Sequence, residues 1–157
     1  MQARCDGGAS RAESVAKGFA LVPKEAGWVL VHDGARPCVT PQVIRRAVAS
    51  ARRWGAVACG LPSALTLKAV DEQGVVRVTL DREHIWAMQT PQVFRREWFA
   101  EALARIGGRL DGCSDDVAVL EAAGFPVRVV PGDPLNLKVT MREDLLVAEA
   151  ILTHRRS

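Results

Sequence analysis

Short apolar runs alternate along this chain with longer stretches in which apolar residues recur every three or four positions. Trp28-Val29-Leu30-Val31 is a continuous apolar run, the mark of a buried strand, and it stops abruptly at His32-Asp33-Gly34-Ala35-Arg36-Pro37. Ahead of it, Ser10-Arg11-Ala12-Glu13 has the form of a capping box and predicts a helix running to Ala20. After it, Thr40 and Pro41 open a second helix that Gly55 closes. Ala56 to Leu61 reads as a short strand, and Arg95 to Ile106 as an amphipathic helix carrying Trp98, Phe99 and Leu103. Ser114 can cap a further helix through Asp115, Asp116 and Leu120, ending at Gly124. Phe125 to Val130 and Leu135 to Val139 read as strands. Thr140-Met141-Arg142-Glu143 reads as a second capping box, ahead of a closing helix through Leu145, Leu146 and Ile151 toward His154. Such alternation predicts an α/β fold, a mostly parallel sheet with helices on both faces.

One segment departs from this rhythm. Leu65 to Val70 and Val75 to Leu80 flank Asp71-Glu72-Gln73-Gly74, a β-hairpin pattern with glycine in its turn. Both arms carry aliphatic and β-branched residues on more than one face. A lone hairpin is marginal in water, so this one is expected to pack on the same domain or on a second subunit.

Composition narrows the class. The 157 residues are one domain's worth of chain, 48% hydrophobic and 25% charged, which describes a globular protein with a real core. A net charge of +3 is too mild to argue for nucleic acid, and no basic run or aromatic platform supports that partner. Cys5, Cys38, Cys59 and Cys113 show no Cys-x-x-Cys pairing; they are expected to be reduced, in a cytoplasmic protein. No stretch is long enough to span a membrane, and the first residues lack an apolar signal core. No internal repeat or flexible linker divides the chain.

Candidate chemistry gathers at two places. In an open α/β sheet, ligands sit beyond the carboxyl ends of strands. Asp33 stands at such an end, where a carboxylate can hold a metal or a hydroxyl, and Arg36 follows at a spacing that can pair with phosphate. The second place is Asn136-Leu137-Lys138-Val139-Thr140. His32, His84 and His154 have no metal-ligand spacing, and His32 reads as strand-end structure. The four tryptophans read as core or interface.

Five segments occur in a telling order: Gly7-Gly8-x-x-Arg11-x-x-Ser14-Val15, His32-Asp33-x-Ala35-Arg36-Pro37, Asp81-Arg82, Thr90-Pro91-Gln92 and Asn136-x-Lys138-Val139-Thr140. Each is weak alone. Together they make the chain closely resemble the 2-C-methyl-D-erythritol 4-phosphate cytidylyltransferase family of the non-mevalonate isoprenoid pathway. The resemblance implies a single Rossmann-like, three-layer nucleotidyltransferase domain over 1–157, with a projecting β-hairpin arm at about 62–84. It implies transfer of CMP from CTP to 2-C-methyl-D-erythritol 4-phosphate, with Mg²⁺, giving 4-diphosphocytidyl-2-C-methyl-D-erythritol and pyrophosphate. It also implies a homodimer assembled through the arm.

The same resemblance assigns site residues. Lys138 and Arg82 correspond to catalytic, phosphate-contacting positions, with Arg82 reaching across the dimer. Asp33, Arg36, Thr66 and Ser114 correspond to substrate-binding positions, Gly8 and Ser14 to the nucleotide site, and Asp33 also to a metal ligand. Each has a plainer alternative. Lys138 could be a solvated strand-end lysine, Arg82 a surface arginine paired with Asp81 or Glu83, and Thr66 simply a good β-former. Asp33 could cap its turn, Arg36 tie down a loop and Ser114 cap a helix. Ala9 and Leu65 stand where relatives usually carry acids. Relatives also begin with a strand and a glycine-rich loop, bearing arginine and lysine, that cradles the triphosphate. The chain therefore reads as an N-terminally truncated member, expected to be inactive alone. The alternatives are a remnant that only dimerises or binds substrate, and a nucleotidyltransferase for another phosphorylated polyol.

Overall fold

The computed structural model describes residues 3–107, 110 and 112–155. Capping chemistry places the first helices where the sequence predicts them. In α1 (Arg11–Ala20) the Ser10 hydroxyl accepts the Glu13 N–H at 3.1 Å, and Glu13 reaches back to the N–H of Ala9 at 2.7 Å. In α2 (Pro41–Trp54) Thr40 caps the Val43 N–H, and Gly55 ends the helix at φ 89° while donating to Ala51. Only glycine suits Gly55: its φ is left-handed, and a Cβ there would run into the Trp98 ring.

Strands β1 (Trp28–Val31), β2 (Ala56–Pro62), β5 (Trp86–Arg95) and β6 (Arg128–Pro131) form one sheet in the order β1-β5-β2-β6. β5 runs antiparallel to both neighbours, whereas β2 and β6 are parallel. The expected mostly parallel sheet is thus a mixed one: β1, β2 and β6 point the same way and β5 runs against them. β5 has no counterpart among the predicted strands. Pro91 lies inside it, after a cis Thr90-Pro91 bond, at a bulge where Cys59 pairs with Gln89 and Ala58 with Gln92.

Alternation along the strands builds two cores. Val57, Cys59 and Val93 face α2, whose buried Val43, Ala47 and Ala51 recur every four residues. Ala56, Ala58 and Phe94 face the other way, onto α3 (Arg96–Arg105) and α4 (Asp116–Ala122). There Phe94 stacks on Phe99 at 4.6 Å and Phe19 of α1 meets Phe99 edge-on.

Three further expectations need correction. Leu135–Val139 is not a strand; its backbone runs as a loop, fastened by Val139 N–H to Ala35 at 2.8 Å. Asp115, not Ser114, caps α4, accepting the Ala118 N–H. The last helix, α5 (Arg142–His154), is capped by Asp144, whose carboxylate accepts from the backbone of Thr140 and Met141, so the Thr140–Glu143 box does not form. The hairpin is as expected: β3 (Lys68–Val70) and β4 (Val76–Thr79) pair as a separate two-stranded sheet.

Candidate active site

The co-directional strands bring their carboxyl ends to one edge, and a polar cavity of about 240 Å³ opens there. Arg11, Asp33, Arg36, Met88, Gln89, Thr90, Gln92, Ser114, Asp115 and Lys138 line it. Asp33 leaves β1 with its N–H bonded to the Thr90 hydroxyl at 3.0 Å. His32 braces the same turn: Nδ1 meets Thr90 Oγ1 at 2.9 Å and Nε2 meets the Arg36 carbonyl at 3.2 Å. It is strand-end structure, as the sequence suggests.

Three cations surround the Asp33 carboxylate. Arg11 Nη2 lies 3.0 Å from Oδ1, while Lys138 Nζ and Arg36 Nε lie 3.4 and 3.5 Å from Oδ2. Burial works against the charged carboxylate, but Arg11 and Lys138 outweigh it and hold Asp33 below the ordinary aspartate range. Arg11 also grips Asp116 with paired bonds of 2.9 and 2.8 Å. Asp116 has a side chain only 1% exposed, and that burial pushes its carboxyl up despite Arg11. Burial likewise pulls Arg36 down. Much of Arg36 is spent on the fold, since Nη1 donates to the Asn136 carbonyl at 2.9 Å. Buried Asn136 in turn donates to the Thr90 carbonyl at 2.8 Å, and so the Lys138 loop is tied to β5 and to the β1 turn together.

A recess of about 300 Å³ beside β1 is lined by Val15, Phe19, Val29 and other apolar side chains. It holds none of these charged groups. The charged groups gather instead in the smaller polar cavity.

A family model for 2-C-methyl-D-erythritol 4-phosphate cytidylyltransferase matches residues 3–154. The chain belongs to this cytidylyltransferase family. The cytidylyltransferase of Synechococcus sp. (strain WH7803) is 43% identical over 150 residues, covering 96% of this chain and 67% of the relative. That of Syntrophus aciditrophicus (strain SB) is 40% identical over 93% of this chain and 62% of its own length. The chain thus spans about two thirds of these relatives. The crystal structure of the Thermus thermophilus cytidylyltransferase superposes with a TM-score of 0.83 at 36% identity, covering 94% of this chain and 71% of that one.

For a member of the cytidylyltransferase family, the expected residues divide into three groups. Asp33, Arg36, Ser114 and Lys138 come together in the cavity. Gly8 and Ser14 lie apart from its lining, beside the start of α1. There Ser14 Oγ accepts the Gly8 N–H at 2.8 Å, and Gly8 packs so closely on Glu13 that a Cβ would clash with it. Thr66 and Arg82 also lie outside the lining. Arg82 sits in a short 3₁₀ turn (Arg82–His84) and donates to the Ala64 carbonyl at 3.1 Å.

Sequence reasoning left out Arg11, Gln92 and Asp115, which line the cavity, and Asp116, buried behind them and bonded to Arg11. Arg11 and Gln92 stand inside the Gly7–Val15 and Thr90–Gln92 segments, and the acidic pair directly follows Ser114. That adjacency was the available signal.

The residues present do not fit a resident metal. Among the described residues no group of three or more His, Cys, Asp or Glu side chains could hold one. Asp33, the carboxylate matched to a metal ligand, already faces Arg11, Arg36 and Lys138. Among the described residues no helix is long and apolar enough to cross a membrane.

Proposed function

We propose that this cavity serves the transfer of CMP from CTP to 2-C-methyl-D-erythritol 4-phosphate in isoprenoid precursor synthesis. A phosphate oxygen of the acceptor attacks the α-phosphorus of CTP. The bond to the β-phosphate breaks, and pyrophosphate leaves with its electron pair. Both reactants are anions, so the protein's task is alignment and charge stabilisation. The observation that carries this reading is the convergence of Lys138, Arg11 and Arg36 on Asp33 at the strand ends. Lys138, paired with Asp33 at 3.4 Å and with its side chain 42% exposed, can turn toward phosphate. Asp33 and Ser114 offer an acceptor and a hydroxyl to the substrate, while Arg36 holds the loop shape around them.

Mg²⁺ belongs with the substrate in this scheme, since hard phosphate oxygens hold it well. Gly8 and Ser14 flank the cytidine, Gly8 by allowing close backbone approach. Arg82 and Thr66 act from the arm on the site of a second subunit, which makes the working unit a homodimer. The four cysteines are free, in keeping with a cytoplasmic protein.

Pyrophosphate release from CTP, with the acceptor and Mg²⁺ present, tests the reading in the chain extended upstream by the strand and glycine-rich loop with which relatives begin. Lys138→Ala is expected to lower turnover at saturating substrates about 100-fold or more, the cost of one transition-state donor. Near-normal turnover would remove Lys138 from the chemistry.

A further inference from the structure

Between the cavity and the core lies a bridge that the proposed reaction does not itself account for. Arg11 enters from the first turn of α1 and spans two carboxylates contributed by segments far apart in sequence. Its Nε and Nη2 donate to Asp33 Oδ1 at 3.2 and 3.0 Å; Nη1 and Nη2 donate to the two oxygens of Asp116 at 2.9 and 2.8 Å. Four of the five N–H donors of a guanidinium are thereby committed, so Arg11 has little left to offer a phosphate.

Both carboxylates are held from β5. Gln92 Oε1 accepts the backbone N–H groups of Asp116 and Val117, each at 3.1 Å, and its Nε2 donates to Asp115 at 2.8 Å. That fixes the first turn of α4 and with it Asp116. Thr90 fixes the backbone of Asp33.

We infer that Asp116 and Arg11 are positioning residues that set the rotation of the Asp33 carboxylate and, through it, the place of Lys138. The inference rests on the transfer reaction proposed above. Oδ1 of Asp33 is engaged twice by Arg11, and Oδ2 is the oxygen that Lys138 and Arg36 approach. Lys138 meets that single oxygen at 3.4 Å, longer than a full charge-assisted hydrogen bond. The ammonium is tethered but still has N–H groups to turn toward an incoming phosphate. Without Arg11, both oxygens of Asp33 could close on Lys138 and hold it away from substrate. The buried charge of Asp116 keeps the guanidinium midway, rather than wholly on Asp33.

Two variants separate geometry from charge. Arg11→Lys keeps the cation but loses the planar fork that grips two carboxylates. Asp116→Asn keeps the shape and removes the charge. The side-chain Cε and Nζ NMR signals of Lys138, one of four lysines and identified by their loss in Lys138→Arg, report its surroundings without any turnover. They are expected to move in both variants while the backbone spectrum away from the cavity stays in place. In the pyrophosphate assay, kcat is expected to fall about 10-fold or more while the KM for CTP changes less than about 3-fold, the pattern of an interaction made in the transition state. Lys138 signals unmoved in both folded variants would overturn the inference. If Arg11→Lys does not fold, the isosteric Asp116→Asn decides alone. An extended wild-type protein without turnover would count against the proposed reaction and leave the Lys138 signals to decide this one.

Discussion

The arm and the strand-end cluster are built on opposite plans. Within the arm, β3 and β4 bury no residue: Val70, Val76 and Val78 are 56%, 50% and 49% exposed, and the strands pair only with each other. In the cluster, Asp116 and Asn136 are sealed from solvent, and single side chains cross-link segments about a hundred residues apart in sequence. The charges of the cluster are paired within one chain: Arg11 with Asp33 and Asp116, and Arg36 and Lys138 with Asp33. The arm exposes β-branched surface that nothing among the described residues covers, as a segment does when its energetic partner lies elsewhere. A mutation should cost folding in the first region and little folding stability in the second.

The sharpest way to break that contrast is to empty one end of the Arg11 bridge. Asp116→Ala leaves a partly buried guanidinium short of a counter-charge and is expected to cost about 3 kcal/mol. That is the low end for a broken buried pair, because Arg11 retains Asp33 and some solvent. Val78→Thr on the arm changes exposed surface and should stay within about 0.5 kcal/mol. Urea midpoints of the two variants check the difference; equal losses would mean that the arm is as integral to the fold as the cluster.

A second experiment asks where the arm acts. If Arg82 serves a neighbouring subunit, a mixed dimer of one Arg82→Ala chain and one Lys138→Ala chain has one site lacking both residues and one keeping both. Activity should return to about half of wild type, since the two sites of a symmetric pair are equivalent. A verified mixed dimer without recovery would place Arg82 at its own subunit's site.

The same contrast explains what the sequence could and could not disclose. Helix ends were legible because capping is local: Ser10 with Glu13, and Thr40 with Pro41 and Gly55, each declare themselves within a few residues. The hairpin was legible for the same reason. β5 was not, because a proline inside a run argues against a central strand, and only the bulge at Thr90-Pro91 accommodates it. Asn136 to Val139 resembles a strand in composition but follows its tethers to Thr90, Arg36 and Ala35. In the site, motif resemblance picked out Asp33, Arg36, Ser114 and Lys138, all of which line the cavity. It passed over Asp116, whose role depends on Arg11, a partner 105 positions away, and no local pattern encodes such a pairing.

The smallest expected effect lies in the acid response of the cluster. Asp33 has a folded-state pKa below its unfolded value, so it contributes stability above the unfolded value, about 3.9, and loses it as pH falls through the lower folded one. Asp116 is raised by burial, so its contribution has the opposite sign: it is present at low pH and lost as pH rises through the folded value. The two carboxylates share Arg11, and their pH responses partly offset each other. Glu13 and Asp144 are also lowered, the first chiefly by the Ala9 N–H and the second by the Thr140 N–H, and both sit at exposed helix starts. Asp33→Asn removes the first contribution and leaves the rest in place. The wild-type urea midpoint is expected to fall as pH drops below about 4, and the Asp33→Asn midpoint to fall less over the same window. Equal falls would mean that the acid response lies at the exposed helix starts, and that Asp33 is held in the cavity without contributing to stability through its charge.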